Sequence, residues 1–128
     1  FPQGTYAAIV CDLNNLKRTN DEHGHLEGDT MISIAANTIM NVMPNAYGIY
    51  RFGGDEFIAL YANVDYNTFR KEQFALTKRG ERVVDKRLHE PLSFAVGGAY
   101  GEENESLEDV VSRADRSMYA VKGNMKSK

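Results

Sequence analysis

The 128 residues suit one domain with one core. A net charge of −3 provides no basic field for nucleic acid or an anionic membrane, while 42% hydrophobic and 26% charged residues are ordinary for a globular protein. No apolar stretch approaches the ~20 residues of a membrane helix, and no signal peptide is visible. Cys11 is the only cysteine. It excludes an internal disulfide, is compatible with a reducing compartment, and reads as a small core residue.

Thr5 to Cys11 is a nearly continuous apolar run, which predicts a central strand. Asp12 closes that run, and a carboxylate there is costly to bury unless it is paired or metal-bound. Residues Asn14 to Asp29 are expected to form a long polar loop rich in amides and carboxylates. It leads into a helix from Glu27 to Met43, with Met31, Ile32, Ala35, Ile39 and Val42 at helical spacing and Pro44 closing it. Tyr47–Phe52 and Phe57–Ala62 predict a hairpin. Tyr66 to about Leu88 predicts a helix weakened at Gly80. Leu92–Tyr100 alternates as a strand. Gly101–Glu105 is a charged loop, and Ser106–Asp109 resembles a capping box opening a last helix that buries Leu107, Val110, Val111, Ala114, Met118 and Val121. Strand, helix, strand, strand, helix, strand, helix is the order of an α+β, ferredoxin-like palm: an antiparallel sheet with helices packed on it.

Between the hairpin strands stands Gly53-Gly54-Asp55-Glu56-Phe57. Glycines at a reversal allow positive φ and let the backbone approach a ligand closely. Carboxylates beside them stay hydrated or meet a cation. By itself this pattern also makes an ordinary hairpin turn with an exposed acidic pair. In a palm, however, the end of the first strand lies beside this turn, which brings Asp12 near Asp55 and Glu56.

Two further segments give the turn its context. Asp12 to Asp29 reads DLNNLKRTNDEHGHLEGD, and Ala114 to Lys122 reads ADRSMYAVK. With the glycine turn, they resemble the GGDEF family of diguanylate cyclases. That family carries D-[IL]-[DN]-x-[FL]-K-x-x-N-D-x-x-G-H-x-x-G-D after the first strand and A-D-x-x-[LM]-Y-x-A-K in the last helix. The three motifs occur in the family's order over nearly the whole chain. The resemblance implies a domain, residues 1–128, that condenses two GTP into cyclic di-GMP and two pyrophosphates.

The resemblance also implies roles. Asp12 and Asp55 become ligands of Mg²⁺ (or Mn²⁺), with the Leu13 carbonyl as a backbone ligand. Glu56 lies beside the metals and helps activate the attacking hydroxyl. Asn20 and Asp29 become the guanine readers: an amide offers donor and acceptor, and a carboxylate accepts from N1–H and the exocyclic amine. Taken by itself, Asp29 reads as a cap or first-turn acid, and Asn20 as a turn residue. Amides of Asn15 and Leu16 suit an anion nest. Gly53 permits close approach, and Lys122 and Lys126 are the cations for phosphate. Asp21 reads as loop-stabilising and His25 as a structural histidine, while His23 and His89 show no metal-like spacing.

The chain departs from the family at Asn14, Leu16 and Val121, which are mild changes. At the end, Met125 and Lys126 replace a Gly and an Arg, so the bidentate fork is lost. A weak or inactive GTP-binding regulatory domain is therefore the alternative reading. A palm of another nucleotidyl transferase would lack the Asn20/Asp29 pair. The family's R-x-x-D product site has no counterpart in Pro44-Asn45-Ala46-Tyr47. Catalysis implies a homodimer, with each 3′-hydroxyl attacking the other copy's α-phosphate. The chain opens on Phe1-Pro2 and lacks the family's D-x-L-T-G-L-x-N-R stretch. It is expected to be part of a longer signalling protein with an upstream input domain. The domain itself is expected in the cytoplasm, with no nucleic-acid or membrane contact of its own.

Overall fold

The structure, a computed structural model, describes residues 5–126. In chain order it contains β1 (Tyr6–Leu13), α1 (Leu16–His23), α2 (His25–Val42), β2 (Gly48–Phe52), β3 (Glu56–Ala62), α3 (Tyr66–Glu81), β4 (Phe94–Tyr100) and α4 (Leu107–Lys126). The strands form one sheet in the order β2-β3-β1-β4, with every neighbouring pair antiparallel. This is the α+β palm expected from the sequence.

The continuous apolar run of β1 follows from its central place, because both of its faces are covered. Ala7, Ile9, Cys11 and Leu13 pack with Met31, Ala35 and Ile39 of α2 and Phe69 and Leu76 of α3. Ala8 and Val10 point the other way, onto Val110, Ala114 and Met118 of α4. Alternation therefore assigns Asp12 to the α4 side. The α4 backbone lies directly against β4. A Cβ at Gly97 would stand 2.1 Å from Met118 N and 2.7 Å from the Ala114 carbonyl oxygen. Only glycine permits this approach.

Two elements differ from expectation. The segment after Asp12 is not a loop throughout, since eight of its residues form α1. Buried Leu16 and Thr19 anchor that helix, and Gly24 at φ 91° separates it from α2. The helix expected to reach about Leu88 ends at Glu81. Arg82 is extended, and Val83 exchanges two backbone hydrogen bonds with Leu92, at 2.7 and 2.9 Å. That pairing suits a β-branched residue better than a further helical turn does. The expected cap of α4 is present, with Ser106 Oγ accepting from Asp109 N at 3.1 Å, and α3 has one that the sequence reading did not name, Asp65 accepting from Thr68 N. No helix of the described residues is long and apolar enough to cross a membrane.

Candidate active site

Asp12 pairs with Glu56 across the β1–β3 ladder. The same strand end is tied to the glycine turn, where Leu13 N donates to the Asp55 carbonyl oxygen at 2.8 Å. Gly53, at φ 59°, turns the chain there, and Arg51 clamps the turn by donating from Nε and Nη2 to the Gly54 carbonyl oxygen. Asp12, Asp55 and Glu56 are thus brought together from positions more than forty residues apart. Asp12 is 6% exposed. Burial pushes its carboxyl up; Lys122 pulls against this, and Asp55 adds to it. The Glu56 carboxyl is also pushed up, first by burial and then by the charges of Asp115 and Asp12.

Asp115 is a member of this cluster that the sequence reading left without a role. It stands on α4, and its charge, with that of Glu56, also raises the Tyr119 phenol. Crowded carboxylates of this kind raise one another's proton affinity unless a cation is added. The cation present is Lys122. Its Nζ lies 2.9 Å from Asp12 Oδ1 and donates to the Leu13 carbonyl oxygen at 3.3 Å. The Asp12 contact is an ion pair without hydrogen-bond alignment, so buried Oδ1 keeps no hydrogen-bond partner. A donor set made only of oxygens, the carboxylates of Asp12, Asp55 and Glu56 with the Leu13 carbonyl, matches the preference of Mg²⁺ or Mn²⁺.

Beside the carboxylates runs a groove of about 800 Å³, whose walls include Leu13, Asn15, Leu16, Lys17, Asp55 and Lys122. Asn15 takes the left-handed conformation, φ 64° and ψ 21°, and its side chain makes no capping bond to α1. The first amides of α1 are therefore left for an anion. Asn14 forms part of the wall, donating from Nδ2 to Ser93 Oγ at 2.9 Å and to Met125 Sδ at 3.6 Å. Met125, one of the departures from the family pattern, thus packs into the groove wall. The side chain of Lys126 lies outside the described residues.

Asn20 and Asp29 are not among the groove-lining residues. They stand on the α1–α2 pair, where a Cβ at Gly28 would fall 1.7 Å from Asn20 Oδ1. Asn20 therefore packs against α2 at Gly28, and Asp29, the next residue, is exposed. Asp29 is the fifth residue of α2, not its cap. The histidines also need correction. His23 and His89 have no metal-like spacing in sequence, yet their rings stack at 4.0 Å with Glu27 beside them. The 82–93 connection folds back over the α1–α2 junction, and sequence spacing cannot register that return.

The family described as "Diguanylate cyclase, GGDEF domain" matches residues 2–128. The chain belongs to the GGDEF family. It is 33% identical over 124 residues to diguanylate cyclase DgcP of Pseudomonas aeruginosa, covering 93% of this chain and 18% of that one. It is 29% identical over 128 residues to diguanylate cyclase A of Treponema denticola, covering 94% and 33%. The chain thus spans a third or less of these two relatives. Among solved structures, the active GGEEF domain of a diguanylate cyclase from Vibrio cholerae superposes with a TM-score of 0.79 at 24% identity, covering 94% of this chain and 78% of that one, a likeness of fold. The coiled coil and GGDEF domain of DgcB from Caulobacter crescentus, in complex with c-di-GMP, gives 0.76 at 25%, covering 94% and 65%.

Proposed function

We propose that this GGDEF domain is a diguanylate cyclase, joining two GTP into cyclic di-GMP with release of two pyrophosphates. The observation that carries the reading is the convergence of Asp12, Asp55 and Glu56 at one strand end, with Asp55 in the wall of a groove that also takes in the start of α1. Asp12, Asp55 and the Leu13 carbonyl would hold Mg²⁺ or Mn²⁺, with Glu56 alongside. When bound, the metal supplies Lewis-acid activation of the attacking hydroxyl and neutralises charge on the phosphate. Glu56, its carboxyl raised by burial and then by Asp115, is suited to accept the proton of the 3′-hydroxyl. The Asn15–Leu16 turn cradles phosphate, and Lys122 provides a point charge; the phosphate role of Lys126 rests on the sequence alone. The open space around Gly53 and Gly54, where an added Cβ meets nothing within 4 Å, leaves room for the phosphate chain. Asn20 and Asp29 orient guanine.

One groove accommodates one GTP, so two copies must face each other for each 3′-hydroxyl to reach the other α-phosphate. We place the domain in a longer cytoplasmic-facing signalling protein whose input region controls that pairing. Met125 in the groove wall favours a second reading, a regulatory domain that binds GTP without turning it over. Incubation with GTP and Mg²⁺, with products identified by mass, separates the two. Cyclic di-GMP with pyrophosphate supports the cyclase. GTP binding at a concentration that forms dimers, without product, supports the regulatory domain.

A further inference from the structure

We propose that His23, Glu27 and His89 form a second metal site, distinct from the carboxylate cluster and selective for a divalent transition cation of the Zn²⁺ class. The three residues come from separate places: the last turn of α1, the first turn of α2 and the connection after α3. Each offers one ligand atom, and these atoms lie within 4.8 Å of one another. The two rings are parallel to within 3°.

Glu27 is already oriented. It accepts from His89 N at 3.1 Å and contacts His89 Nδ1 at 2.6 Å. The two histidines are exposed, so their rings can turn without disturbing the core. Zn²⁺ bonds of 2.0–2.1 Å at tetrahedral angles require ligand atoms about 3.3 Å apart, a contraction of roughly 1.5 Å reachable by side-chain rotation. Two imidazoles and one carboxylate, with water completing the shell, favour Zn²⁺, Co²⁺, Ni²⁺ or Cu²⁺ over Mg²⁺. The oxygen-only cluster at Asp12 has the opposite preference. A metal here would pin the α1–α2 junction, with its Gly24 hinge, to the 82–93 connection.

The test uses the whole chain, stripped with chelator and held in excess Mg²⁺ to occupy the carboxylate cluster. Calorimetry with Zn²⁺ should give one saturable micromolar site, and Zn²⁺ should raise the unfolding midpoint. Co²⁺ should give visible absorption bands of a low-coordinate site. His23→Ala and His89→Ala should each weaken Zn²⁺ binding by more than roughly 100-fold, beyond the 10–100-fold that a lost supporting partner alone commonly costs. His25→Ala, next to the site, should bind as the parent does. No saturable site would overturn the proposal. So would equal affinity in the His23 and His89 variants, or binding lost in Asp55→Asn but kept in both.

Discussion

Asp12 and Glu56 face each other across the β1–β3 ladder, so two carboxylates rise from the same face of the sheet, the face that α4 covers. One is nearly sealed from solvent, and the other is crowded by Asp115. The pair resists double ionisation unless a cation joins it. Asp12→Asn and Asp55→Asn should therefore abolish Mg²⁺-dependent cyclisation; Asp55→Asn should leave the unfolding midpoint equal or raised, since like-charge repulsion is relieved, whereas Asp12→Asn also leaves Lys122 without its buried anion and brings no such gain. Glu56→Gln should slow turnover by roughly 10²–10⁴-fold, the usual worth of a positioned proton acceptor. Cyclisation rates and thermal melts on the same preparations check both.

Lys122 is expected to have two partners in turn. In the metal-free domain it pairs with Asp12 at a site where the two side chains are 15% and 9% exposed. Lys122→Met should lower metal-free stability, by up to about 3–5 kcal/mol as for other broken buried pairs. Mg²⁺ alone should restore more stability to the variant than it adds to the parent, because no ammonium has to leave. GTP binding should weaken. Melts with and without Mg²⁺, in the absence of nucleotide, test the order of these effects.

Asn20→Ala and Asp29→Ala should weaken GTP binding by about 1–3 kcal/mol each, the cost of a buried group left unpaired, and should narrow the preference over ATP. Gly28→Ala should imitate Asn20→Ala, because the new methyl would fall 1.7 Å from Asn20 Oδ1 and drive the amide aside. Calorimetry with both nucleotides decides the matter, and equal affinity for them in the parent would remove the guanine assignment.

The pH dependence of stability should have two opposed parts. Arg113, by a paired contact at 2.9 and 2.7 Å, holds the Glu105 carboxyl down to about 2, against its usual 4.5. That stabilisation is complete above pH 4.5 and is lost as pH falls toward about 2. Asp12 and Glu56 are raised, so their ionisation costs the fold. That cost is present above their native pKa values and is relieved as pH falls through them. In metal-free protein, stability should hold or rise on acidification from neutrality, then drop below pH 4.5. Denaturant midpoints across this range should lose the rise in Asp12→Asn and much of the drop in Glu105→Gln.

Added cyclic di-GMP should not inhibit through the stretch before β2. Asn45 is committed there to Glu72, donating from Nδ2 at 2.5 Å, while Tyr61 OH donates to the other Glu72 oxygen at 2.9 Å. Neither an arginine nor an exposed carboxylate stands in Pro44-Asn45-Ala46-Tyr47. Initial rates with added product should be unchanged. Noncompetitive inhibition with product bound near Asn45 would contradict this.

The strands and the hairpin were legible because burial on both faces of β1 and alternation in β4 write themselves into the order of residues. The meeting of Asp12 with Asp55 and Glu56 was legible because an antiparallel palm leaves the strand end nowhere else to go. Helix α1 was not. Only Leu16 and Thr19 are buried on it, and amides and charges fill the remaining positions. Asp115 was visible within a motif, but its approach to Glu56 depends on how deeply α4 sits. The stacking of His23 on His89 depends on a connection whose path no local pattern encodes.

The absent side chain at position 97 acts as a spacer for the whole face that carries the carboxylate cluster. Met118 rests against that glycine, with Asp115 one turn before it and Lys122 one turn after. A methyl there would lift the helix and carry both charged groups away from the strand end together. The depth of the helix, rather than the identity of the acids, would then set how the charges balance. Changes at a mid-strand position with no chemistry of its own should therefore act like changes in the site itself.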